Sequence, residues 1–409
     1  MKKLTSIFIL ILSAALLVSA AAAAGGTGTA EDPYRIETAV ELQSIQNDLS
    51  AHYVIMNDLD LTGVEWVPIG SSSTPLATAF HGSLDGQGHT ITNLNVNLPE
   101  QQYVGLFAVI TAGAQLSDIT FENCNIVGKS NAGTLYGQCI SSSGTTTKVS
   151  VQNIIVRNCT ALTSGYNVGN VAGGHSTSAV VDILDCLVEN CVSTSSSGNY
   201  VGNVAGYLSN SQSTVVAERC KVIGCTARAS SGIIVGNVAG SLSHSQSTFG
   251  TARDCEVYNC YAVASGYNVG NVAGSLSNSQ STGLAENCTV GHCIAESTSG
   301  YYVGNVAGSL SNSQSTGNAV DCVVYDCVAT AGHNVGNVAG YLSNSQSTGN
   351  VVDCVVKNCT AKARSAYAGS IAGCKYAAGY GNITGCTVDG CTVIASSFAG
   401  GICSTFERA

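Results

Sequence analysis

Proline is nearly absent. The four that exist, Pro33, Pro68, Pro75 and Pro99, all precede residue 100. A stretch of three hundred residues without proline suits strands that stack into continuous ladders, since such ladders need every backbone donor. Charge is scarce too. Only 10% of residues are Asp, Glu, Lys or Arg, and the net charge is −10. No basic patch or aromatic-basic interleaving occurs, so nucleic acid is excluded as an expected partner. A surface made mostly of Ser, Thr, Asn, Gln and Gly resists association less than a charged one. Long apolar runs are missing beyond the first 24 residues. In the repeat unit Gly, Ser, Thr, Asn and Val dominate and none favours a helix interior, which excludes a helical solenoid.

The start reads as a secretory signal peptide over residues 1–24. Lys2 and Lys3 form the basic region, Leu4 to Val18 the apolar core, and Ser19 to Ala24 the small-residue cleavage site. After cleavage no membrane span is expected. The chain is therefore read as exported to the cell surface or envelope. Nineteen cysteines fit that destination, because exported proteins escape the reducing cytosol. A metal-thiolate protein would need cysteines two to four residues apart, usually with His partners. Here the recurring interval is four intervening residues, and no metal or other cofactor is expected.

What the chain has in abundance is a repeat. Val-Gly-Asn-Val-Ala-Gly occurs six times, starting at Val168, Val201, Val235, Val269, Val303 and Val335. Degenerate copies at Val104, Ala132, Ala368 and Ala399 bring the total to ten. A period near 34 residues signals stacked supersecondary units. Each unit divides into a strand carrying cysteines, a Ser-Gly turn, a strand carrying VGNVAG and a polar SNSQST stretch. The expected fold is all-β: a right-handed β-solenoid of about ten rungs, roughly 48 Å long at about 4.8 Å per rung. Residues 101–409 form the repeats and residues 25–100 a short α/β cap. In the cap, Ala39, Leu42, Ile45 and Leu49 lie at helical spacing, so Glu37 to Leu49 is expected to be an amphipathic helix. Tyr53 to Leu61 and Thr90 to Val96 alternate like strands, and Gly82 to Gly88 reads as a turn. The asparagines Asn170, Asn203, Asn237, Asn271, Asn305 and Asn337 are expected to stack as an amide ladder. The glycines beside them are expected to allow close approach between backbones.

Seven cysteine pairs recur: Cys186/Cys191, Cys220/Cys225, Cys255/Cys260, Cys288/Cys293, Cys322/Cys327, Cys354/Cys359 and Cys386/Cys391. Two earlier repeats keep only the second position, Cys124 and Cys159, with Ile119 and Ile154 at the first. Five steps along an extended strand span about 16 Å, whereas a disulfide needs Cα atoms within about 7 Å. Bonding inside a pair thus requires a corner between its members. Bonding between equivalent cysteines of adjacent rungs needs no distortion. Both arrangements remain open at this level. Nineteen is odd, so at least one sulfur lacks a partner within the monomer. Cys139, Cys374 and Cys403 lie off the columns and are the candidates for a bond between subunits.

The segments GTAEDPYRIETAVELQSIQ, MNDLDL with WVPIG, and FHGSLDGQGHTITNLNV followed by YVGLF resemble the start of GLUG-motif β-solenoid proteins, secreted or surface proteins of bacteria and archaea. The repeat core usual in that family, V-G-G-L-V-G, is similar to V-G-N-V-A-G here, with Asn in place of a Gly. The resemblance covers most of the chain after residue 24 and implies a surface β-solenoid. The dense cysteine columns depart from the family. Together with low charge they resemble the tubular sheaths of filamentous methanogenic archaea, on composition alone.

Catalysis is the rival reading, because parallel β-helices include polysaccharide-active enzymes. A glycosidase needs two carboxylates about 5–10 Å apart in a groove. The best clusters are Asp58, Asp60 and Asp85, which read as turn caps, and Asp118 with Glu122. The position before the first cysteine runs Asp185, Arg219, Asp254, Asn287, Asp321, Asp353, Gly385 and reads as a solvated edge. The seven histidines (His52, His81, His89, His175, His244, His292 and His333) share no spacing with Ser or Asp, so no triad is expected. Tyr166, Tyr200, Tyr267 and Tyr301, just before VGN, form a column that either packs on itself or stacks surface glycans. Asn158, Asn287, Asn358 and Asn382 fit the Asn-x-Ser/Thr glycosylation pattern, three of them with Cys in the middle. The expectation is a non-enzymatic structural protein. Its main partner is itself, in an assembled layer or tube stabilised by disulfides; a carbohydrate-binding adhesin is the alternative.

Overall fold

A computed structural model describes residues 25–71, 78–176, 178–232, 234–344, 346–374 and 379–404. The signal peptide lies outside the described residues. One turn of chain shows how the sequence builds the fold. Thr282–Glu286 forms a strand, Asn287 turns the corner, and Thr289–Gly291 forms a second strand. His292 turns the next corner into Ile294–Ser297. A Ser-Gly turn leads to Tyr302–Val303, and Ala307–Asn312 completes the circuit. Ser313 and Gln314 then hand the chain to Thr316–Val320 in the next rung. Repetition of this path stacks the strands into five parallel sheets of 12, 11, 10, 7 and 9 strands, in the order of the path. The expected β-solenoid of about ten turns is what forms.

The register is like over like. Thr282 pairs with Thr316, Gly283 with Gly317 and Ala285 with Ala319. Strands of three to six residues can hold such a register because alternate side chains enter one continuous core of Val, Ala, Leu, Ile and Cys that runs the length of the rod.

Residues 25–100 are already solenoid. Tyr34–Ile36, His52–Ile55 and Ser83–Asp85 are successive strands of the first sheet, and Asn95–Val104 runs through residue 100 without a break. Ser83–Asp85 is therefore a strand where a turn was expected. The turn is shorter, at Gln87 and Gly88, both with positive φ. The expected helix also forms, but over Ala39–Ser44, followed by a 3-10 turn at Ile45–Asn47. Its start is set by a capping box: Thr38 Oγ1 accepts from the Glu41 N–H at 3.2 Å, and Glu41 Oε2 accepts from the Thr38 N–H at 2.9 Å. Leu42 and Ile45 reach the core, while Val40 stays exposed.

The VGNVAG strands meet at the tightest point of the section. A Cβ on Gly202 would lie 2.1 Å from the Ala205 carbonyl oxygen, and one on Gly206 would lie 2.5 Å from that of Gly173. Only glycine fits either position. The asparagine between them faces inward and is fully buried in all six copies. Each Nδ2 donates to the next Oδ1, from Asn170 through Asn203, Asn237, Asn271 and Asn305 to Asn337, at 2.7–3.2 Å. The amide ladder expected from sequence is present. Its outer neighbours are the hydroxyl residues Thr134 and Ser370, in the degenerate copies.

Replacing Asn237 with Ala orphans the Asn203 amide and the Asn271 carbonyl in the dry core. The expected cost is about 1–3 kcal/mol for each buried group left unpaired. The exposed glutamine ladder, Gln246 to Gln280 to Gln314 to Gln346, supplies the control. Gln280→Ala should stay within about 0.5 kcal/mol of wild type in urea unfolding.

Candidate functional site

The corner residues decide where the sulfurs go. Asp185, Asn190, Arg219, Gly224, Asp254, Asn259, Asn287, His292, Asp321, Asp326, Asp353, Asn358, Gly385 and Gly390 all have φ between 50° and 65°. Each immediately precedes a cysteine. The column read as a solvated edge is thus a column of left-handed corners, which Asn, Asp and Gly accept most readily. The side chains there point outward and bridge rungs: Arg219 spans both Asp185 oxygens at 2.6 and 2.9 Å, and Asn287 donates to Asp254 at 2.6 Å. Such exposed pairs contribute little to stability.

Every corner turns its following cysteine inward. A three-residue strand, such as Leu187–Glu189, separates the two members of a pair. The second corner of each pair, such as Asn190, does lie between its two cysteines, but among the described residues the sulfur contacts run from rung to rung and not within a pair. Between rungs the sulfurs are neighbours. The Cys124 N–H points at the Cys159 sulfur at 3.2 Å, and the same contact repeats at 3.3–3.4 Å from Cys159 through Cys191, Cys225, Cys260, Cys293 and Cys327 to Cys359. The column sulfurs stand as thiols in this structure. One column holds nine cysteines and the other seven, so neighbour pairing leaves one out in each. Cys386 and Cys391, the last of each, are half-buried; the others are buried.

The off-column cysteines differ from one another. Cys139 lies opposite His175 and Ile110 inside the fifth sheet, with no exposed surface, and burial pushes its thiol pKa up. It offers no sulfur to a second subunit, which corrects that candidacy. Cys374 is 4% exposed and pairs in register with Tyr341. Cys403 is half-buried, bridged to Ala372.

His175 is a core residue that sequence reading left unassigned. Its Nδ1 lies 3.2 Å from the Tyr207 carbonyl oxygen, to which it must donate, so Nε2 accepts from the Tyr136 hydroxyl at 2.6 Å. Gln138 completes the buried group by donating to the Ser176 and Tyr207 hydroxyls at 2.5 and 3.3 Å. Burial lowers the His175 pKa from 6.5 to about 4. The only sequence signal for it is its place in AGGHS, aligned with AGYLS of later rungs.

The carboxylates do not converge. Asp58 accepts from the Thr90 N–H, and Asp85 from the Gln87 N–H. Asp60 accepts from Asn93, from the Thr62 hydroxyl and from the Thr62 N–H, and these bonds hold its pKa down to about 2. Asp118 turns a corner and accepts from Asn153 at 2.9 Å. Glu122 lies in a separate strand, Thr120–Glu122. All are turn or rung-bridging groups.

The tyrosines form two columns. Tyr166, Tyr267 and Tyr301 share one and are exposed; Tyr267 stacks on Tyr301 at 5.1 Å, and Tyr301 on His333 at 4.3 Å. Tyr200 belongs instead to the next column, one residue along, paired through Ile234 and Asn268 to Tyr302. Alternation along the strand sends it to the other side, against Tyr207 and His244. Asn158, Asn287 and Asn358 stand exposed on corners, and Asn382 is exposed in the last rung.

No family model matches the chain. Two curated relatives align with parts of it. One is "Halomucin" of Haloquadratum walsbyi, 33% identical over 145 residues, which cover 32% of this chain and 2% of that protein. The other is a "Putative Gly-rich membrane protein" of Evansella cellulosilytica, 40% identical over 94 residues, covering 21% and 10%. The chain thus spans a tenth or less of either relative. A crystal structure of a "putative immunoglobulin A1 protease" from Bacteroides ovatus superposes with a TM-score of 0.42 at 17% identity, over 82% of this chain and 78% of that one. Among the described residues no helix is long and apolar enough to cross a membrane.

Two outcomes follow. Peptide mapping of the oxidised protein should find disulfides joining cysteines of adjacent rungs, 32–35 residues apart in sequence, and none joining Cys186 to Cys191 or their equivalents. The buried neutral His175 should also give a pH dependence. The unfolded chain binds the extra proton below 6.5, so this contribution is complete above 6.5 and is lost as pH falls toward about 4. In urea unfolding, His175→Gln should flatten the stability profile in that window and leave the acid limb below it unchanged.

Proposed function

We propose that this chain is an exported, non-enzymatic structural β-solenoid that assembles with copies of itself into a cell-envelope layer or sheath. The observation that carries the reading is the in-register stacking of equivalent residues, in which each rung offers the next the same backbone, amide and sulfur columns. Along the rod, ladders of backbone, amide and sulfur are satisfied internally. In the rung 383–403, Ile394, Phe398 and Ile402 are 47%, 53% and 50% exposed, beside the half-buried Cys386, Cys391 and Cys403. Strand edges with apolar side chains add further strands readily, and rungs this alike can stack on those of a second copy. The resemblance to GLUG-motif and sheath proteins supports an envelope setting. So do the names of the two relatives, a halomucin and a membrane protein.

Disulfides between rungs lock the monomer, and the cysteine left over in each column bonds to a neighbouring copy. Each bond forms as two thiols give two protons and two electrons to an oxidant, either dissolved oxygen or the disulfide of an oxidoreductase. A crosslink of this kind is worth about 2–5 kcal/mol in a small secreted domain.

Native material should appear as ordered sheets or tubes by electron microscopy and dissolve only after reduction. The double variant Cys386→Ser/Cys391→Ser should keep the rod's circular dichroism and lose reductant-sensitive multimers on gels. A soluble monomer whose mass is the same with and without reductant would sink the proposal.

A further inference from the structure

Three columns of side chains converge beside the fourth and fifth sheets. The floor belongs to a column of the fifth sheet, Tyr207, Ser241, Ser275, Ser309 and Tyr341, paired rung to rung, of which Ser309 and Tyr341 line the cleft. Tyrosine stands at both ends and serine at the three rungs between. One wall is the fourth-sheet column Tyr200, Ile234, Asn268 and Tyr302. The other is the column of strand-end asparagines, Asn278, Asn312 and Asn344. Beside Ser309 and Tyr341 a cleft of about 330 Å³ opens. That volume is within the range of small-molecule sites, roughly 300–1,000 Å³. Its length across five rungs is about 19 Å at roughly 4.8 Å per rung.

The lining has a definite chemistry. Aromatic rings close both ends: Tyr200 packs edge-on against Tyr207 at 5.7 Å, and Tyr302 stacks on Tyr341 at 4.6 Å. Amides and a serine hydroxyl line the middle, with no Asp, Glu, Lys or Arg among the lining residues. The Asn268 Oδ1 is buried there and accepts no hydrogen bond, a deficit that a bound donor would repair. At the rim, Tyr267 is exposed and lies flat against Tyr301.

We infer that this cleft binds a neutral oligosaccharide. The ligand must be uncharged, since no ionic partner awaits it. It must be rich in hydroxyls to meet the row of amides, and it needs apolar ring faces to lie on tyrosines. An extended peptide fits less well. Peptides that add to sheets use an open backbone edge, and here the backbone of both sheets is already paired from rung to rung. The site stands apart from self-assembly, because it lies along the middle rungs and not at the last one.

Calorimetric titration of the full chain with cellotetraose, maltotetraose, chitotetraose and mannotetraose tests it, with a Gly-Ser octapeptide as the competing class. One or more of the sugars should bind with Kd of about 1 mM or below. Ser309→Tyr fills the floor with the residue the chain itself carries at 207 and 341, and should abolish binding while the circular dichroism stays unchanged. Tyr302→Ala, which leaves the floor intact, should weaken binding roughly tenfold. Failure of all four sugars to bind, sugar binding that survives Ser309→Tyr in a folded protein, or binding of the peptide alone would each overturn the inference.

Discussion

Like stacks on like in this protein, because each turn of chain is laid in register on the one before. Parallel pairing at about 4.8 Å brings every residue beside its equivalent from the neighbouring repeats. A side chain is therefore acceptable only if it can partner itself. Asparagine can, because an amide both donates and accepts, and the column from Asn170 to Asn337 does so from rung to rung. Cysteine can, as a small apolar thiol or as half of a disulfide. Charge is harder to stack, and at Asp185 and Arg219 adjacent rungs alternate in sign, with Asp321 above Asp353 a like-charged exception.

The same constraint explains the scarcity of charge and the absence of proline after residue 100. It also explains where the chain departs from its own repeat. Thr134 and Ser370 replace the ladder asparagine at either end of the amide column. The three serines between Tyr207 and Tyr341 are a departure in the middle, where nothing in the stacking requires one. The cleft lies where that column passes from serine at 309 to tyrosine at 341.

Much of the fold was legible in the sequence. The period, the inward Asn and the glycines that permit close approach are all visible in VGNVAG, because each rung repeats one solution to the same packing problem. The cap was harder. Residues 25–100 lack the repeat, and its absence hid the fact that Tyr34–Ile36, His52–Ile55 and Ser83–Asp85 are rungs like the others. The corner column was visible as Asp, Asn and Gly before cysteine, but its meaning depended on backbone angles that no spacing reports. The tyrosine column was misaligned by one residue at Tyr200, and in a strand one residue is the difference between two faces. His175 gave no periodic signal, since it belongs to a single rung.

By itself the sequence determined that this chain is a stack of repeated rungs, since a period near 34 residues rich in β-forming residues and free of proline suits parallel ladders. It also determined that cysteines and asparagines form columns, because in-register repetition leaves them nowhere else to go. Only the tertiary structure decided which sulfurs can meet. A bend does fall inside each pair, at residues such as Asn190, yet the contacts between sulfurs run from one rung to the next. The structure likewise decided that Ser309 meets Asn268 and Tyr302 in one cleft. Those residues come from different rungs and different sheets, and only the winding of the chain makes them neighbours.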